Sequence, residues 1–166
     1  MIYKVKEGRE KILKTGMALG VLAVLLVAGY AHAGKLTDNG NGTITDSSTG
    51  LIWQKCSAGE NNDSSCSGTA ATYTWQQALD YCNGLSLAGY SSGWRLPNVK
   101  ELITIVDVDL YDPAIDTTYF PQTQSWYYWS STSFAMDPSQ AWWPSFHDGD
   151  VYQDKKTNEV YVRCVR

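Results

Sequence analysis

The sequence predicts an α+β fold, stapled by disulfides and exported from the cytoplasm. Three observations point there. Two amphipathic stretches with their own caps occupy the middle of the chain, strand-like stretches gather at both ends, and four cysteines follow a segment built for secretion.

That segment comes first. Lys4, Lys6, Arg9, Lys11 and Lys14 precede an apolar run from Met17 to Val27, which ends in Ala31-His32-Ala33. The run is shorter than the roughly 20 residues a membrane-spanning helix needs, and the small-x-small ending suits cleavage after Ala33. Residues 1 to 33 therefore read as a signal peptide and 34 to 166 as one domain, with no stable membrane insertion after cleavage. The location expected is secreted, periplasmic or on a bacterial cell surface.

Cleavage also changes the charge. The mature part keeps 8 Lys and Arg against 15 Asp and Glu, a net charge of −7. Such a chain lacks the positive field that draws nucleic acid, so a nucleic-acid partner is excluded.

Next, Asn39-Gly40 or Asn41-Gly42 offers the positive φ of a hairpin turn between two short strands, and Ser47 to Gly50 turns the chain into Leu51-Ile52-Trp53. The Asp and Asn density from Asp38 to Asp46 also suits a calcium loop. Gly40 and Gly42, however, fall where ligands belong, so turn chemistry is the reading.

In an oxidising compartment Cys56, Cys66, Cys82 and Cys164 form two disulfides, for which three pairings exist. Cys56 and Cys66 end a polar Gly/Ser/Asn-rich stretch with nothing to bury, which makes them natural partners. No C-x-x-C spacing occurs and His147 is the only histidine of the mature part, which argues against zinc.

Thr74 and Gln77 form a capping box with Tyr73 and Ala78 as its staple. Trp75, Ala78, Leu79 and Cys82 then follow at i, i+3, i+4 and i+7, one face of a helix ending near Gly84. A second helix starts after Pro97, capped by Asn98 with Glu101 at its third position, and striped by Val99, Leu102, Ile103 and Val106. The aperiodic stretch beyond it holds Asp107, Asp109, Asp112 and Asp116, read as turn caps.

Strands are expected over 126 to 132, 140 to 147, 150 to 154 and 159 to 165, with Asp148-Gly149 as a turn. Val160, Val162 and Cys164 alternate on one face of the last strand. Cys82 and Cys164 both face the core and so invite each other. In the stretch "SWYYWSST", Trp126, Tyr128, Ser130 and Thr132 share one face, and Tyr127, Trp129 and Ser131 the other. In its neighbour, Trp142, Pro144 and Phe146 read as core, whereas Ala141, Trp143, Ser145 and His147 meet solvent; Pro144 marks an edge or a bulge.

Taken in order, "TDNGNGTITDSSTGLIWQKC", "GWRLPNVKELITIVD", "YWSSTS" and "YVRCVR" resemble the Lcl C-terminal domain family, a bacterial domain of unknown function named after a collagen-like adhesin. The resemblance runs from about Leu36 to Arg166. It implies a C-type-lectin-like fold, with two helices beside a small twisted antiparallel sheet and a disulfide from the first helix to the last strand. It further implies a surface module that binds a ligand through its late strands and loops. Sulfated glycans are the adhesin's ligands, and the charge of −7 argues against carrying them over.

Catalysis is not expected: no Ser or Asp is spaced to form a triad with His147, and the late cysteine is committed to the bridge. No cofactor is expected either, although Asp148, Asp150 and Asp154 leave Ca²⁺ open. The functional expectation is a recognition or adhesion module for a glycan or surface protein, with Tyr127, Trp143, His147, Asp150 and Tyr152 as ligand residues. The alternative is a self-assembling envelope or filament subunit. The sequence does not set the oligomeric state.

Overall fold

The computed structural model describes residues 35–166, and the predicted signal peptide lies outside them. The described chain is α+β, with two α-helices, small antiparallel sheets and two disulfides.

β1 (Leu36–Asp38), β2 (Thr43–Asp46) and β3 (Leu51–Gln54) form an antiparallel meander in that order. Both candidate turn glycines take positive φ, 70° at Gly40 and 84° at Gly42. At Gly42 a side chain is excluded outright, since a Cβ there would lie 2.8 Å from the Asn62 carbonyl oxygen.

α1 (Trp75–Gly84) has the expected cap, with the Gln77 side-chain oxygen accepting the Thr74 N–H at 2.9 Å, and it buries Ala78 and Cys82. α2 (Val99–Leu102) is shorter than predicted. Asn98 and Glu101 cap each other's backbone at 2.9 and 2.8 Å, but from Ile103 to Ile105 the helix tightens into a 3₁₀ turn. Three residues per turn put Ile105 rather than Ile103 beneath Leu102, so Ile105 is buried and Ile103 is exposed.

β4 (Gln140–Pro144) pairs antiparallel with β5 (Val151–Lys155). The predicted first and last late strands are not regular strands. They are extended segments bridged residue by residue, Tyr127 to Ser145, Ser133 to Ala141 and Tyr128 to Tyr161. Residues 160 to 166 form the spine, bonding Tyr73 through Val160, Ala58 through Val162, Gln54 through Cys164, and Ile52 through Arg166.

Two expectations for β4 are corrected here. It is not an edge: β5 lies on one side and residues 126 to 133 on the other. Pro144 is tolerated because the Tyr128 N–H donates to its carbonyl at 3.0 Å, and only the return bond is lost. Its faces are also the reverse of those predicted over the first four residues. Ala141 and Trp143 are buried and Trp142 is half-buried, because Trp143 packs on Trp129 while Trp142 turns to Phe134.

The core has two parts. Trp129 belongs to one, with Trp94, Leu96, Cys82, Val160 and Val162; its neighbour Tyr128 belongs to the other, with Ile44, Trp53, Leu102, Phe120 and Phe146. A segment whose adjacent residues enter different clusters is covered on both faces, which accounts for the aromatic density of "SWYYWSST". The disulfides are Cys56–Cys66 and Cys82–Cys164, the second tying α1 to the spine. The Cys56 loop does bury residues after all: Ser57, Ala58 and Glu60 are inside, because Ala58 bonds Val162 and Ser57 bonds Tyr128.

Candidate functional site

Tyr127, Trp143 and Tyr152 converge. They line an open groove of about 560 Å³ with Trp126, Gln153, Asp154, Asn158, Glu159 and Val160. Cross-strand packing builds its wall. Tyr127 stacks on Trp143 at 4.9 Å and 16°, Tyr152 meets Tyr127 edge-on at 5.7 Å, and Trp126 meets it edge-on at 5.0 Å. Such contacts fix each ring without using up its outer face.

Exposure is graded along this wall. Trp143 is 7% exposed, Tyr152 39% and Trp126 54%, so the floor is rigid and the rim accessible. By period 2 Trp126 shares a face with Tyr128, yet Trp126 is exposed and Tyr128 is buried. Tyr128 and Phe146, in edge-to-face contact at 4.9 Å, fill that end of the core and leave the indole outside.

The polar rim comes from the end of β5 and the turn after it. Asp154 accepts from the Lys155 N–H at 2.6 Å and from the Asn158 side chain at 2.9 Å. The Tyr152 hydroxyl donates to Asp148 at 3.2 Å, and this bond pushes the phenol's pKa up. Nothing in the run "QDKKTNE" distinguishes it from an ordinary polar turn, so its place on the rim is a matter of tertiary structure.

His147 and Asp150 do not line the groove. Asp150 is exposed at the turn, its N–H bonded to Asp148. His147 has a cluster of its own. Its Nε2 lies 2.5 Å from the Tyr111 hydroxyl, while Nδ1 lies 3.1 Å from Ser125 Oγ and 3.5 Å from Asp112. The Ser125 hydrogen bond, then His147, hold the Asp112 carboxyl below its usual range. A Ser-His-Asp relay needs serine and carboxylate on opposite ring nitrogens, whereas here both approach Nδ1 and tyrosine occupies the other.

Several other acidic residues have local partners. Asp107 and Asp116 each accept a backbone N–H two residues on, and Asp148 does the same, as turn-capping carboxylates do. A smaller concavity of about 270 Å³ lies between Asp38, Gly42, Lys55 and Asp63. Asp38 is paired with Lys55 at 2.7 Å, and Asp63 accepts from Ser65 and Ser67, which hold its carboxyl far below the usual range. Among the described residues, Cys56, Glu60 and Cys66 are the only metal-ligand types found converging, and both sulfurs are in the disulfide.

No helix among the described residues is long and apolar enough to cross a membrane. Comparison with curated proteins finds no match. Residues 42–166 match the Lcl C-terminal domain, a span that takes in β2, both disulfides, both helices and every residue lining the groove, and the chain belongs to that family.

Proposed function

We propose that this protein is an extracellular recognition module of C-type-lectin-like architecture, which binds a glycan in the groove between Trp126 and Glu159. The observation that carries the reading is the graded aromatic wall, a buried Trp143 backing a half-exposed Tyr152 and an exposed Trp126. Flat faces of this kind stack on the C–H faces of sugar rings, while Gln153 and Asn158 on the rim supply the oriented hydrogen bonds that select among sugars. The lectin-like assignment is supported by the disulfide from first helix to last segment and by the extended late segments that carry the groove. Export is supported by the two disulfides and the expected signal peptide. No catalytic role is assigned to the His147 cluster.

A glycan array with the mature protein tests this. Binding that Trp126→Ala or Tyr152→Ala abolishes, with the fold intact by circular dichroism, is the expected result. A blank array alongside capture of an envelope protein would replace the glycan by a protein ligand.

A second reading has its own observation. β5 has no strand on its outer side among the described residues, and its side chains are mostly exposed. Such an edge can pair with another copy and build an assembly. Size-exclusion chromatography at high protein concentration decides; a monomer throughout removes this alternative.

A further inference from the structure

The groove has a sign. Two carboxylates, Asp154 and Glu159, line it with four aromatic rings and two amides, and no Lys, Arg or His does. Of the nearby cations, Lys156 sits over the Trp75 ring at 3.8 Å and donates to Ser133 at 2.6 Å, and Lys155 does not line the groove. Glu159 is exposed and makes no hydrogen bond or ion pair with another described residue.

The phenol and rings add to this polarity. Tyr152 gives its hydroxyl proton to Asp148, so toward the groove its oxygen can only accept. Aromatic faces carry negative potential and attract ammonium groups, an attraction that adds to the pull of the carboxylates. A sulfate or carboxylate brought here would meet repulsion with no donor cation to offset it.

From this we infer that the ligand is an amino sugar chain with free, protonated amines, a glucosamine-type polymer and not an N-acetylated or sulfated one. The inference rests on the glycan reading above and names the class of sugar. Rings of the polymer stack on Trp126 and Tyr152, and ammonium groups lie against Glu159 and Asp154.

Titration calorimetry of the mature protein with a β-1,4-linked glucosamine tetramer, its fully N-acetylated counterpart and a sulfated oligosaccharide tests it, at a pH where the amines are charged. Two exposed ion pairs together are worth about fivefold to tenfold in affinity, so the free-amine tetramer should bind that much more tightly than the acetylated one. The preference should shrink with added salt. The Asp154→Asn/Glu159→Gln variant should lose the preference for the free-amine tetramer over the acetylated one. Equal or tighter binding of the acetylated or sulfated sugar overturns the amine inference and leaves the glycan reading standing. Binding of none of the three, with an oligolysine peptide bound instead, overturns both.

Discussion

Trp143 stacks on Tyr127, ring centroids 4.9 Å apart, and the same indole touches Trp129 at 5.0 Å. One side chain thus joins the groove to the core. Trp143→Ala should cost about 3–5 kcal/mol, as removal of a large buried aromatic does. Trp126→Ala should change stability by less than about 0.5 kcal/mol, because the indole is 54% exposed. Urea denaturation of both variants beside their glycan binding separates the roles: the first variant loses stability and binding, the second binding alone.

The disulfides should contribute unequally. Cys82–Cys164 closes a sequence separation of 82 residues and Cys56–Cys66 one of 10. Loop-closure entropy then predicts losses of about 4–5 and about 2–3 kcal/mol on removing each. Cys82→Ala/Cys164→Ala and Cys56→Ala/Cys66→Ala, compared by thermal unfolding, should rank in that order. The reverse ranking would mean that the short bridge acts through the buried Ser57 and Ala58 and not through chain entropy.

Local signals account for what the sequence disclosed. Thr74 with Gln77 and Asn98 with Glu101 announce helix starts within four residues, and Gly40 and Gly42 announce a turn, so these features were legible. The facing of Cys82 and Cys164 was also legible, since helical and strand periods each bury one of them. The faces of β4 were not. Period 2 gives two sets of residues without saying which looks inward, and "QAWWP" has an indole in each set. The choice was made by Trp129, thirteen residues before Trp142, which offers its ring to Trp143. Three of five expected ligand residues share the groove for a related reason: Tyr127, Trp143 and Tyr152 are cross-strand neighbours, while His147 lies in the turn between β4 and β5 and packs on Tyr111 instead.

Arg163 should prove the most sensitive charged residue. It is fully buried, with one nitrogen donating to Thr123 at 2.9 Å and stacked over Phe120, while Nε and Nη1 have no hydrogen-bond partner among the described residues. Burial lowers its pKa; the nearby Glu60, also buried, is raised by its own desolvation and drawn back by the Ser57 N–H bond and then by the Arg163 charge. Arg163→Met alone should cost about 1–3 kcal/mol, because it removes the Thr123 bond and the contact with Phe120 and takes a favourable charge from the buried Glu60. Adding Glu60→Gln should recover part of that loss in urea unfolding. A double variant no more stable than Arg163→Met would show that the charges are not coupled.

Acid should unfold the domain through its capping carboxylates. Arg95 holds Glu101 in a two-pronged bond at 2.7 and 2.6 Å, and with the Asn98 N–H this keeps the Glu101 carboxyl below its usual range. Asp38, Asp46, Asp137 and Asp148 are likewise lowered. A carboxyl whose folded pKa is depressed binds fewer protons in the native state than in the unfolded one. Its stabilisation is therefore complete above the unfolded value near about 4, and is lost as pH falls through that value toward the folded one. Stability followed by denaturant midpoint should be flat from neutral pH down to about 5 with respect to these groups and then decline. Glu60, raised instead, works against that decline, since its protonation relieves a buried charge. Glu101→Gln should be less stable than the parent at neutral pH and show a shallower acid slope. An unchanged slope in that variant would assign the acid sensitivity to the aspartates of the turns and not to the cap of α2.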